Sequence, residues 1–376
     1  MRTPLDFGET HPWTHGYNTP WPISGRSAGG LVYPQKKDLS MIRLSRMLLG
    51  AALVVGAVAS TAPVARAAEP DKLLPADSDL VAIVNLKQIL DSEIVKKYAL
   101  EQIKQVLEGQ DVKKLLGDLG LDPLKDVEKI VAASIETKFG NQAEAQYLLI
   151  VHGKFDAEKL FKTAEAESKK NADKFQLVKD GTTVMFKVQP DNGQPPMYAT
   201  VVNDTTVIAA SEKKLITAAL AADTASKPTV LKKDLADLIK KADEKASVVA
   251  ISLLKGKLDE VKLPGGGNLP VKLDGIQKVL PLMEAVTVTV KIGANVNLDV
   301  VIGMKDEDSA NDMRNALDDL MKQIKPLAQF AGAADPRLKP LTGILDSVKT
   351  SSKNKDVIMS GKVAGDDIGK MINPKD

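Results

Sequence analysis

Residues 129–153 read KIVAASIETKFGNQAEAQYLLIVHG, and this stretch decides the fold class. Lys129–Glu136 and Gln146–Gly153 are two short runs rich in β-branched and aliphatic residues, separated by the polar loop FGNQAEA at 139–145. Asp156 follows at once, a residue suited to capping a helix, and Leu160, Phe161 and Ala164 then fall on one helical face. Two strands feeding a capped amphipathic helix point to an α+β fold.

Upstream, Leu80–Leu86 reads as a strand after the turn-like LLPADSD. A long helix is predicted next, capped by Asp91 or Ser92. Ile94, Tyr98, Ile103, Val106 and Leu107 share one face, and Gly109 breaks it. Val112, Leu115, Leu116 and Leu119 continue the pattern up to the turn at Gly120 and Pro123. Downstream, strands are predicted at Phe175–Lys179, Thr182–Val188 and Tyr198–Ser211, the last folding as two about Asn203-Asp204. Asp180-Gly181 marks a hairpin, and a helix runs from Ser211 through Leu220.

After DTASKPTV at 223–230 comes a Lys-rich helix with Leu231, Leu235, Leu238, Ile239 and Ala242 on one face. The order of elements then recurs: strands at Val248–Leu254, Ala285–Ile292, Val296–Gly303 and Asp356–Val363, a helix from Asp306, and a short helix at Asp366–Met371. His152-Gly153-Lys154-Phe155-Asp156 stands 150 residues before Ile302-Gly303-Met304-Lys305-Asp306. Asp204–Ala210 stands 150 before Asn354–Ser360. We therefore read two βαββαβ-like halves, 68–222 and 248–376, joined by a linker and helix at 223–247, with mixed or antiparallel sheets packed against amphipathic helices.

The most apolar stretch is MLLGAALVVGAVA at 47–59, preceded by Arg43 and Arg46 and followed by the small-x-small site Ala65-Arg66-Ala67. This is the pattern of a secretory signal peptide over 41–67, cleaved near Ala67. The apolar run is short for a bilayer span, and the alternative is an uncleaved N-terminal anchor. Residues 1–40 are rich in Pro, Gly and Thr and lack an apolar period. They read as an extension ahead of the true start at Met41, or as a disordered region. The expected location is secreted or periplasmic, with no integral membrane span in the mature chain.

Composition narrows the chemistry. The whole chain has 51 Lys+Arg, 49 Asp+Glu, three His, two Trp and no Cys. Residues 1–67 take with them seven basic and three acidic residues, both Trp and two His, leaving a net charge of −2 and His152 as the single mature His. Thiol nucleophiles, disulfides and Cys-ligated metals are excluded, and multi-His metal sites with them. Two Arg, no Trp and a slightly acidic balance argue against nucleic acid as a partner.

LLPADSDLVAIVNLKQIL (73–90) followed by LGLDPLKDVEKI (119–130) resembles a set of secreted bacterial proteins of uncharacterised function, in which a signal peptide precedes an L-P-A-D segment. The resemblance implies an exported protein and carries over no site residue.

Candidate chemical groups each have a plainer reading. His152, on the strand face of Leu148 and Ile150, lacks a G-x-S-x-G elbow and reads as a strand-end His bonded to backbone. Ser211-Glu-Lys-Lys214 and Ser352-Lys-Asn-Lys355 match S-x-x-K without its partner motifs. Ser211 reads as an N-cap and Ser352 as part of a polar loop. Asp306-Glu-Asp308 opens like a calcium loop, but Ala310, Asn311 and Leu317 occupy positions that need ligands or Gly, so helix-dipole pairing explains it. Gly265-Gly266-Gly267 lacks a flanking strand and helix and reads as a loop tip.

No catalytic, cofactor or metal residue is therefore assigned. The expected function is an exported, non-catalytic envelope or periplasmic binding or structural protein, whose partner is an unknown protein or an apolar ligand. A carrier of an apolar ligand such as lipid and a carboxylate-based hydrolase are the alternatives.

Overall fold

The computed structural model describes residues 69–109, 113, 116–117, 120–135, 146–190, 195–224, 230–263, 270–335 and 338–372. Outside them lie the segment 41–67 expected to be a signal peptide, residues 1–40, Val112, Leu115 and Leu119, the loop 139–145, the Gly265–Gly267 run and Arg337.

Twelve strands form one sheet: β1 (Ser78–Val84), β2 (Val127–Ile135), β3 (Gln146–Gly153), β4 (Phe175–Asp180), β5 (Thr183–Val188), β6 (Met197–Asn203), β7 (Thr206–Ala210), β8 (Val248–Leu253), β9 (Met283–Ile292), β10 (Asn295–Met304), β11 (Lys349–Lys353) and β12 (Asp356–Ala364). Their order is β11-β12-β10-β9-β8-β1-β2-β3-β7-β6-β5-β4, and every pair is antiparallel. The fold is α+β with a large antiparallel sheet, so the mixed pairing left open above does not occur among these strands. Two-residue hairpins account for four of these pairs, β4–β5, β6–β7, β9–β10 and β11–β12, since such turns join antiparallel neighbours without a crossover. At Gly181 a positive φ of 58° turns β4 into β5.

The helices are α1 (Leu86–Asp91), α2 (Leu100–Leu107), α3 (Pro123–Asp126), α4 (Ala157–Lys170), α5 (Lys213–Thr224), α6 (Lys233–Lys241), α7 (Asp274–Val279), α8 (Glu307–Ala334), α9 (Lys339–Ser347) and α10 (Gly365–Ile372), with a π-helical turn at Val95–Ala99. The long helix expected after Asp91 runs over 93–107, capped by Ser92 and widened to a π turn at Val95–Ala99. Ser92 is extended, with ψ 148°, and its hydroxyl oxygen accepts from the Val95 N–H at 3.3 Å, restarting the chain as the π turn. The two expected caps are present. Lys159 N–H donates to Asp156 at 2.9 Å and Ser309 N–H to Asp306 at 2.8 Å.

Two buried cores lie on opposite faces of the sheet. On the front, Val81, Val131, Leu148, Ile150, Ile208 and Ile251 pack with Leu215 and Ile216 of α5, Leu235 and Ile239 of α6, and Leu73 and Leu74 of the N-terminal strap. On the back, Leu298, Val300, Ile302 and Met304 of β10 pack with Ala310 and Met313 of α8, Ile344 of α9 and Ile94. Helix α4 also covers the back, over β4–β6, where Phe161 meets Phe186 edge-on at 5.4 Å. Helix α6, read as part of the linker region, belongs to the front core.

Candidate functional site

Each core leaves the opposite face of its strands outside, and the two outer faces differ. In the second half the front carries Thr289, Asp299 and Ser360 in one cross-strand row, and Lys291, Asn297 and Lys362 in the next. That is a polar face, as is usual on one side of an antiparallel sheet, although Ser360 itself is buried. In the first half the back is apolar. One row runs Ala250, Ala82, Ala132, Leu149, Ala209, Ala199 across β8, β1, β2, β3, β7 and β6. The next runs Val248, Val84, Ile130, Val151, Val207, Val201 across the same strands. All twelve residues keep partial exposure. Among the described residues neither buried core takes them in, apart from Val248 at the margin of the back core.

The strand sequences dictate this surface. KIVAASI and YLLIVHG are apolar at successive positions, so both faces of β2 and β3 are hydrophobic, yet front helices bury only one. Val131 is 1% exposed and Leu148 is fully buried on the front, while Ile130 and Leu149 beside them face the back. A contiguous, partly exposed apolar surface is a usual mark of an interaction or ligand site. The third row on this face is more polar: Ser252, Leu80, Ser134 and Tyr147 stand in register, and Ser134 donates to the Gln146 carbonyl at 3.1 Å. Burial pushes the Tyr147 phenol above its ordinary pKa.

The candidate chemical residues are not gathered there. His152 is at the front end of β3, and the reading of a backbone-bonded His is corrected. Its Nε2 lies 2.5 Å from Asp71 Oδ2, and its Nδ1 lies 3.4 Å from the Thr206 hydroxyl. Hydroxyl, imidazole and carboxylate thus stand in series, but Thr206 is only 6% exposed and pairs directly opposite His152 inside the sheet. For Asp71, burial opposes ionisation. The hydrogen bonds from His152 and the Leu73 N–H, with the charges of His152 and Lys129, outweigh it and hold the carboxyl below its ordinary pKa. The arrangement pins the strap that carries Leu73 and Leu74 into the front core.

Neither S-x-x-K pair is assembled. The Ser211 hydroxyl accepts from the Tyr147 N–H at 3.1 Å, tying β3 to the end of β7 instead of capping α5, and Lys214 pairs with Glu212 at 3.0 Å. Ser352 lies in strand β11, not a loop, and donates to Asn311 at 2.8 Å, while Lys355 pairs with Glu284. Asp306 accepts from both the N–H and the hydroxyl of Ser309, which keeps its pKa low.

Several carboxylates are likewise committed to lysines. Asp79, 8% exposed, holds Lys232 at 2.6 Å and Lys257 at 2.7 Å. Glu284 sits between Lys255 and Lys355, both at 2.9 Å, and Asp243 pairs with Lys291 at 2.5 Å. Among the described residues no three His, Asp or Glu are grouped to hold a metal ion, and no helix is long and apolar enough to cross a membrane. The apolar back face escaped the sequence reading because periodicity marks a two-sided apolar strand without saying which side helices will cover.

No protein-family model matches this chain, and none of the curated proteins matches it. Among solved structures, one described as crystal form I of TP0453 superposes with a TM-score of 0.41 at 9% identity, covering 82% of this chain and 98% of that one.

Proposed function

We propose that the protein is an exported, non-catalytic binding protein of the envelope or periplasm, and that it takes an apolar ligand on the back of strands β1, β2, β3 and β7. The observation that carries this reading is the pair of apolar rows through Ala132 and Ile130, partly exposed and outside the front core. A purely structural sheet would be expected to place polar residues there, as the front of the second half does with Thr289, Asp299 and Lys362. Export is supported by the 41–67 segment. Native mass spectrometry of protein purified without detergent tests the reading. An added apolar mass, lost on delipidation, is the expected result. A bare chain that also fails to enhance the fluorescence of anilinonaphthalene sulfonate overturns it.

We also propose that the sheet comprises two related βαββαβ-like halves meeting at β1 and β8. Support comes from two capping aspartates, Asp156 and Asp306, 150 residues apart, each ahead of a helix on the back face. The hairpin pairs Asn203 with Thr206, and the corresponding hairpin pairs Lys353 with Asp356, again 150 residues on.

A further inference from the structure

We infer that residues 69–74, the strap that leads into β1, form a lid on the front core that opens while the sheet stays folded, with the contact between Asp71 and His152 as its catch. The inference concerns the front of the sheet and stands apart from the apolar-ligand reading of the back.

The main chain shows where the lid ends. Ser78 is the first residue of the ladder, paired with Ile135 of β2, and it is fully buried. Its N–H and its hydroxyl both donate to the Pro75 carbonyl, at 3.1 and 2.7 Å, and Lys232 Nζ donates to the Asp77 carbonyl at 3.0 Å. Residues 75–78 are thus a turn fixed to the body of the protein. Ahead of that turn the main chain bonds only within the strap. The Leu73 N–H donates to the Asp71 carboxylate and the Leu74 N–H to the Asp71 carbonyl, both at 3.1 Å. Among the described residues no main-chain hydrogen bond joins 69–74 to a strand or a helix. Lifting the strap therefore breaks no part of the ladder, and segments of this kind open at lower free energy than the sheet beneath them.

Side chains alone hold the lid down. Leu73 and Leu74, each 2% exposed, belong to the core that includes Leu215 and Ile216 of α5 and Leu235 and Ile239 of α6, so opening bares apolar surface there. Lys72 pairs with Asp223 near the end of α5, but the lysine is largely exposed, and such a pair contributes little. Aliphatic burial is favourable but non-directional. The directional tie is the nearly buried Asp71 carboxylate, 2.5 Å from His152 Nε2. Because the same carboxylate accepts from the Leu73 N–H, one group both folds the turn that presents the two leucines and fastens it to β3. His152 is held in the sheet between Lys129 of β2 and Thr206 of β7, whose hydroxyl lies 3.4 Å from Nδ1.

Hydrogen exchange followed by mass spectrometry, on the purified protein at neutral pH, tests the lid and the catch separately. Strap amides should exchange faster than those of β3 and β8. Urea below the unfolding midpoint should speed exchange in the strands and leave the strap nearly unchanged, because lifting it exposes little surface. Asp71→Ala and His152→Ala should each speed strap exchange about tenfold or more, the scale of a hydrogen bond to a charged group. His152→Ala leaves both hydrogen bonds within the strap in place, so its effect reads the catch alone. Lys72→Ala should stay within about twofold of the wild type. Circular dichroism establishes that each variant is folded, and the urea series on the wild type needs no variant. Strap exchange that rises with urea in parallel with β3 and β8 overturns the lid. Strap exchange unchanged in the folded Asp71→Ala and His152→Ala variants, or raised as much by Lys72→Ala, overturns the catch.

Discussion

Ala82 of β1 lies directly opposite Ala250 of β8 at the junction where the twelve-stranded sheet passes from one half of the chain to the other. Each is the centre of a Val-Ala-Ile triplet, 81–83 and 249–251, and the two triplets pair antiparallel, Val81 with Ile251 and Ile83 with Val249. The identical sequences are thus related by a local two-fold axis through the alanine pair. Directly opposed antiparallel residues have Cα atoms about 4.5–5.5 Å apart, within the range a disulfide spans. In a chain without cysteine, Ala82→Cys combined with Ala250→Cys should close one intramolecular disulfide on mild oxidation. The expected readout is loss of both free thiols in the monomer, by thiol titration and non-reducing electrophoresis, with a gain of roughly 2–4 kcal/mol in unfolding free energy. Persistent free thiols in the folded double variant would contradict this register.

Gly153 and Gly303 occupy the same place in the 150-residue recurrence, but the structure uses them differently. A Cβ on Gly153 would come within 1.9 Å of the Asp126 carbonyl oxygen, the acceptor of the Lys154 N–H. A Cβ on Gly303 would meet only ordinary contacts, the nearest at 3.7 Å. Gly153→Ala should therefore cost about 2–3 kcal/mol, the scale of an overpacked core site, and Gly303→Ala should stay within about 0.5 kcal/mol. Urea unfolding of the two variants side by side measures the difference.

The contact between His152 and Asp71 joins β3 to the strap, and its loss should be read in stability. Asp71→Asn and His152→Gln should each lower unfolding free energy by about 1.5–3 kcal/mol, the range for hydrogen bonds to charged groups. The double variant should lose clearly less than the sum, because both changes break one interaction. A double-mutant cycle by chemical denaturation checks this, and strict additivity would show that the pair is not coupled.

Asp79 gives the pH dependence its sign. Burial opposes its ionisation, but hydrogen bonds from Lys232 and Lys257 and their charges outweigh that cost and lower its pKa. A carboxyl with a depressed folded-state pKa contributes stability that is present above its unfolded-state pKa and lost as pH falls through the folded-state value. Unfolding free energy should therefore be flat from neutrality down to about pH 5 as far as this group is concerned, then decline through the carboxylate range below about pH 4. Asp79→Asn should be less stable at pH 7 and show a shallower acid decline. The comparison needs denaturant titrations from pH 7 to pH 3 on both proteins.

Local signals carried much of this fold. The capping aspartates, the Asn203-Asp204 turn and the runs at 146–153 and 248–253 are written in short-range pattern, and the elements lie where that pattern puts them. Strand β11 is the instructive omission. Lys-Thr-Ser-Ser-Lys has neither apolar alternation nor aromatic content, and it is a strand because β12 offers it a ladder from Lys349–Ser360 to Lys353–Asp356. His152 was visible as a lone imidazole, but its partner lies 81 residues away in a segment without periodic pattern, and only tertiary folding brings Asp71 to it. The alanine row of the back face was hidden for the same reason, since its six residues come from six strands.

Leu148 and Leu149 are chain neighbours with the same side chain, and they separate core from site. Leu148 faces the front, is fully buried and belongs to the front core, and Leu149 faces the back within the alanine row and keeps partial exposure. Truncating a buried leucine removes its transfer energy and leaves a cavity, so Leu148→Ala should cost about 2–5 kcal/mol. Leu149→Ala leaves no enclosed cavity, because its surroundings are accessible and floored by alanine, and should cost under about 1 kcal/mol. The order should invert for ligand binding. Leu149→Ala removes the only tall side chain from the alanine row of the back face, so it should change the binding of anilinonaphthalene sulfonate. Leu148→Ala, tested at a temperature where it remains folded, should leave that binding unchanged. Measuring unfolding free energy and dye binding on the same two variants checks both halves of the argument, and a Leu149→Ala variant that is as destabilised as Leu148→Ala would show that the back face is core and not site.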